Sequence, residues 1–149
     1  QKYDNVRKIS SLLAVKQSDT SSGVEKLLKN VSELKFKITG LKTQIMQNKV
    51  SAFNPKSNIT AVFEPDLDIK ELQIFATALF KTYSGIRAVF SECENGFSFA
   101  FCGESQSLDA FFGEFKANFA VKGGGRNGMV QGTAQAKKEK IEKFFEDRK

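Results

Sequence analysis

Residues 86–103 read IRAVFSECENGFSFAFCG, two extended-looking runs on either side of an Asn95-Gly96 step. Asn-Gly is the strongest short signal for a β-hairpin turn, because both residues tolerate a positive φ. Alternation along the strands then puts Phe90, Phe97, Phe99 and Phe101 on one face and Val89, Ser91, Cys93, Ser98, Ala100 and Cys102 on the other. With Asn95-Gly96 as the turn, Cys93 stands opposite Ser98. The two cysteines are therefore not partners and are expected as free thiols, which suits a reducing compartment. A sheet face made of four phenylalanines demands cover, so helices must pack on it.

The flanking segments supply that cover. NITAVFEPD predicts a strand over 59–63 closed by Pro65, and DLDIKELQIFATALFKTYSG predicts a helix from about Asp68 to Tyr83, acidic at its start and ended by glycine. A further helix over about 107–119 carries Leu108, Phe111, Phe112 and Phe115 at helical spacing. A short strand over 129–131 follows the glycine-rich stretch. A last helix from about Gln135 turns Ile141, Phe144 and Phe145 inward. Fifteen phenylalanines against two tyrosines and no tryptophan fit a Phe-rich core.

The first fifty residues lack proline and read as helical. Val6, Ile9, Leu12 and Leu13 fall on one side of an opening helix, QSDTSS (17–22) forms a break, and Ser22 with Glu25 makes a capping-box pattern at the start of a second helix. There Val24, Val31, Ile38 and Ile45 recur every seven residues, with Leu27, Leu34 and Leu41 between them. This is a heptad seam with β-branched residues at a and leucine at d. The seam is an expected dimerisation element; pairing of the helices within one chain or between two chains stays open. Residues 51–58, SAFNPKSN, mark a boundary. The predicted fold is α+β: a helical hairpin or coiled-coil arm over 1–50, then a small mixed-sheet α/β sandwich over 58–149.

The chain has no histidine, which removes Ser-His and Cys-His nucleophile systems and the commonest transition-metal ligand. Two cysteines out of register give no zinc ligand set. No apolar run reaches the length of a membrane span, and QKYDNVRKISS lacks the apolar core of a signal peptide, so a cytoplasmic protein is expected. Net charge is +6, with basic excess at both ends of the sequence and acidic excess between residues 51 and 121. Such patches suit an anionic partner.

Five of the eleven glycines fall in KGGGRNGMVQG (122–132). Glycine runs lose much backbone freedom on folding, so a cluster signals a steric or conformational demand. Two readings fit: tight packing of the chain, or a nest of backbone N–H groups for an anion, with Lys122 and Arg126 adding full charges. Neither a Walker motif nor GxGxxG is present. The lysines at 137, 138, 140, 143 and 149 alternate with acids, as a solvated helical face does.

KGGGRNGMVQG resembles the glycine-rich signature GGxGGGRPDMAQGG of the DHH-associated domain found in alanyl-tRNA synthetases and alanyl-tRNA editing proteins. Lys122, Gly123, Gly124, Gly125, Arg126, Met129, Gln131 and Gly132 match; Asn127 and Gly128 replace Pro-Asp, and Val130 replaces Ala. ISSLLAV and VEKLLKNVSELKFKITGLK are similar to the helical linker that precedes this domain. The resemblance implies a non-catalytic module that binds tRNA, most specifically tRNA(Ala), and forms homodimers. It implies Lys122, Gly123, Gly124, Gly125, Arg126, Asn127 and Gln131 as nucleic-acid contacts, with Arg126 where related phosphoesterases carry a loop histidine. Zinc-dependent hydrolysis of mischarged tRNA belongs to an upstream domain of the family, so no cofactor is expected here. The short helix, polar break and single coil resemble the editing proteins more than the full synthetases, so a protein that hydrolyses mischarged tRNA(Ala) in trans is the expected parent; a full synthetase, or a purely structural dimerisation appendage, is the alternative.

Overall fold

The computed structural model describes residues 2–14, 16 and 19–149. The elements follow in the order α1 (Lys2–Leu13), α2 (Thr20–Ala52), β1 (Ile59–Phe63), α3 (Ile69–Tyr83), β2 (Ile86–Cys93), β3 (Gly96–Cys102), α4 (Ser105–Asn118), β4 (Ala120–Arg126), β5 (Met129–Gln135) and α5 (Lys138–Glu146). Two compact units result, residues 1–45 and 46–149.

In the first unit, α1 and α2 form the N-terminal helical hairpin. The expected break at 17–22 is shorter than its composition suggests. Thr20, Ser21 and Ser22 already belong to α2, so Ser22 is not the cap, while Gln17 and Ser18 lie outside the described residues. Hydroxyls in a first turn still find local backbone partners, which lets serine and threonine sit inside a helix start as well as before it. Every residue of the heptad seam is at least 38% exposed. The hairpin therefore does not bury it.

The second unit is a five-stranded sheet in the order β1-β2-β3-β5-β4, parallel between β1 and β2 and antiparallel elsewhere. Its Phe face is covered by α4 and α5. Phe90, Phe99, Phe101, Phe111, Phe112, Phe115, Phe144 and Phe145 form one buried cluster with Ile86, Leu108, Val130 and Ile141. Phe90 sits at its centre, with ring centroids of Phe63, Phe101 and Phe145 at 5.0, 5.5 and 5.8 Å. Such edge-to-face and offset pairs each add about 0.5–1.5 kcal/mol beyond area burial. The opposite face, with Val89, Ala100 and Cys102, packs against Leu72, Phe75, Ala76 and Leu79 of α3 and Val50 of α2. Tyr83 closes this layer: its Oη donates to the Val50 carbonyl at 2.6 Å, and its ring meets Phe53 edge-on.

The helix α3 begins where sequence predicts, since the Asp68 carboxylate accepts from the Glu71 N–H at 2.8 Å. At its other end Arg87, 2% exposed, donates from Nε to the Ser84 carbonyl (2.6 Å) and from an Nη to the Tyr83 carbonyl (3.2 Å). Its other Nη reaches the Ser57 carbonyl (3.0 Å) and Thr60 Oγ1 (2.8 Å). One guanidinium thus ties the negative end of α3 to β1 and β2. Burial lowers its pKa from the usual arginine value.

The hairpin differs from expectation by two residues in register. Cys93 pairs with Gly96 and Ser91 with Ser98, so Glu94 and Asn95 form the turn. Gly96, at φ 145°, has no room for a side chain there, since any Cβ would stand 2.2 Å from the Ala134 carbonyl oxygen of β5. A two-residue slip preserves both faces, which is why the phenylalanine assignment is unaffected. Both cysteines are free thiols.

Candidate functional site

The glycine-rich segment is a strand, not a loop. Residues 120–126 form β4, the edge of the sheet, paired along its length with β5. The turn between them is Asn127-Gly128 with φ of 59° and 78°, the left-handed pair that a two-residue hairpin requires. An anion nest needs successive N–H groups to converge, whereas in a strand they alternate between the two sides. The nest geometry is therefore absent here. The second Asn-Gly in the sequence is the signal that identifies this hairpin.

Packing accounts for most of the glycines. A Cβ on Gly123 would come within 2.2 Å of the Gln131 carbonyl oxygen, one on Gly125 within 2.0 Å of the Met129 oxygen, and one on Gly132 within 2.2 Å of the Lys122 oxygen. Gly128 needs its positive φ and approaches the Gly103 carbonyl. Gly124 is different: a Cβ there meets nothing within 4 Å.

Alternation places Lys122, Gly124 and Arg126 on one face of β4, opposite Thr133, Gln131 and Met129 of β5. Both cations are exposed, and Gly124 leaves the backbone between them bare. Over four residues the two are separated by about 13 Å of strand. Beside this gap Gln131 Oε1 is buried with no hydrogen-bond partner. Asn127, by contrast, serves the turn. The predicted set thus divides: Lys122, Gly124, Arg126 and Gln131 share a face, while Gly123 and Gly125 fall on the other.

The start of β4 borders a cleft of about 510 Å³ whose lining includes Asn95, Asn118, Phe119, Ala120, Lys137 and Lys140, and no carboxylate. Lys137, which precedes α5, and Lys140 of α5 thus place two further cations at this end of the sheet. Two other basic residues at this end of the chain are engaged elsewhere: Lys138 lies 5.0 Å from the Phe63 ring centre, and Arg148 pairs with Glu114 while its guanidinium sits 3.7 Å from the centre of Phe144. Among the described residues, no group of three His, Cys, Asp or Glu side chains has metal-binding geometry, and no helix is long and apolar enough to cross a membrane.

No family model matches the chain, and no curated protein does. Among solved structures, RecJ from Thermus thermophilus in complex with Mg2+ superposes with a TM-score of 0.55 at 13% identity, over 89% of this chain and 20% of its own. The C-Ala domain of Aquifex aeolicus alanyl-tRNA synthetase gives 0.46 at 15% identity, over 62% of this chain and 96% of that one. The chain has the fold of part of RecJ and spans a fifth of its length.

Proposed function

We propose that the chain is a non-catalytic accessory module that binds structured RNA, with tRNA as the partner, through the β4 face. The carrying observation is Gly124: it is the glycine of the cluster that packing does not require, and it exposes backbone between Lys122 and Arg126. Strand backbone without side chains lets a sugar-phosphate chain approach closely, and the two cations supply sequence-independent attraction. Lys137 and Lys140, at the cleft beside the start of β4, add positive charge near that end of the strand. The resemblance of KGGGRNGMVQG to the alanyl-tRNA synthetase signature supports tRNA over other RNA, and a synthetase-type parent is the simplest context. In a trans-editing parent the same module would present tRNA(Ala) to a separate zinc-dependent hydrolytic domain. Titrating tRNA at two salt concentrations against wild type and a Lys122→Ala, Arg126→Ala double variant tests this reading. Equal affinity and equal salt dependence would exclude β4 as a phosphate contact.

A further inference from the structure

Arg87 is a buried charge with no carboxylate against it. Its acceptors are the Ser84, Tyr83 and Ser57 carbonyls and Thr60 Oγ1, all of them neutral. The C-terminus of α3 offsets part of the charge, about half an elementary unit. A guanidinium has five N–H donors. Four are used here, so one hydrogen on Nη2, the nitrogen that meets the Tyr83 carbonyl, has no acceptor among the described residues. Gly85 places no side chain over that nitrogen, and a Cβ there would lie 3.1 Å from it.

Arg87 lines a cleft of about 670 Å³ at the start of β1, a size typical of small-ligand sites. The lining also includes Lys56, Arg148 and Lys149, with Ser57 and Asn58 as neutral polar groups and no carboxylate. Lys56 is exposed and forms no ion pair among the described residues. Lys149 meets Glu146 only at 3.9 Å. Arg148 gives Nε to Glu114 and one Nη to the Phe144 carbonyl, which leaves its other Nη without an acceptor. Four cations around one cleft suit an anion of more than one charge. A phosphate group carries about −1.5 to −2 at neutral pH and three strong acceptor oxygens, whereas a carboxylate brings a single charge.

We infer that this cleft is an anion site in its own right and takes a phosphate group, either of a small phosphate compound or of a nucleic-acid chain. Arg87 Nη2 and the open Nη of Arg148 donate to its oxygens, while Lys56 and Lys149 supply point charges. The cleft lies beside β1 and β2, at the other side of the sheet from β4, and the inference does not rest on the β4 reading.

The full chain is titrated with inorganic pyrophosphate and with acetate at equal ionic strength, following backbone amide shifts, and its tRNA affinity is measured alongside. Pyrophosphate is expected to move the Ser57 and Asn58 amides in a saturable way, and acetate is not. A Lys56→Glu, Lys149→Glu variant should bind pyrophosphate at least about tenfold more weakly at an unchanged thermal midpoint, since both lysines are exposed. The Lys122→Ala, Arg126→Ala variant should keep the wild-type pyrophosphate response at Ser57 and Asn58, so a failure of the β4 reading is seen separately. Lower tRNA affinity in the Lys56→Glu, Lys149→Glu variant identifies the phosphate as that of nucleic acid, and unchanged tRNA affinity identifies a small phosphate compound; either result upholds the site. The inference is overturned if pyrophosphate moves neither amide, if acetate moves them equally, or if the Lys56→Glu, Lys149→Glu variant binds pyrophosphate as the wild type does.

Discussion

Gly123 and Gly132 face each other directly across the β4–β5 ladder, and a methyl group on either would stand 2.2 Å from a carbonyl oxygen of the facing strand. Gly123 also has φ 139°, a conformation that side chains rarely adopt. Gly123→Ala and Gly132→Ala are therefore expected to lower stability by about 1–3 kcal/mol each, read as a fall in denaturation midpoint. Gly124→Ala, with open space around its Cβ, should be neutral or stabilising by up to about 1 kcal/mol. Equal losses at all three positions would contradict the division between packing glycines and the open one.

Arg87 answers four acceptors from one buried guanidinium. Arg87→Met strands those acceptors, and Arg87→Lys substitutes a point charge for a fork. Each is expected to cost about 2–4 kcal/mol in chemical denaturation. A loss under about 0.5 kcal/mol for the lysine variant would show that the fork is dispensable.

Burial pushes the Cys102 thiol up, outweighing the lowering by a Thr77 side-chain hydrogen bond, the Gly103 backbone and Lys81. Since the unfolded chain then loses that proton first, this contribution to stability is complete below the ordinary thiol pKa of about 8.5 and declines as pH rises above it. In native protein at pH 8, iodoacetamide should modify the half-buried Cys93 well before the buried Cys102. Mass spectrometry after partial labelling checks the order, which reverses if Cys102 is the accessible thiol.

Removing the α3 cap with Asp68→Ala should cost about 1 kcal/mol, because the Glu71 N–H loses its side-chain acceptor. Asp68→Asn, which keeps an acceptor oxygen, should recover most of that loss in thermal unfolding. Indistinguishable alanine and asparagine variants would assign the effect to charge instead.

Much of this architecture is legible in the residues. The Phe90, Phe97, Phe99 and Phe101 face, the Asp68 cap and the inward side of α5 follow from periodicity and local hydrogen bonding. Features set by contacts distant in sequence are not. Gly96 of β3 lies against the Ala134 carbonyl, 38 positions away in sequence, and the turn falls at Glu94-Asn95. The strand β4 hides because glycine has no strand propensity of its own and pairs here for lack of side chains. The seam of α2 is plain in its sequence, yet only the exposure of its seven residues shows that the hairpin leaves them uncovered.

The central claim is that bare backbone at Gly124, between Lys122 and Arg126, receives the phosphate chain of tRNA. Gly124→Leu tests it most directly, since a Cβ there has open space and the longer side chain would cover the bare backbone. Measured by tRNA titration alongside thermal unfolding, the variant is expected to keep its midpoint and lose at least about tenfold in affinity. The Lys122→Ala, Arg126→Ala variant should flatten the dependence of log K on log salt by about 0.7–0.9 per lost phosphate contact. Wild-type affinity and an unchanged salt slope in a stably folded Gly124→Leu protein would contradict the claim.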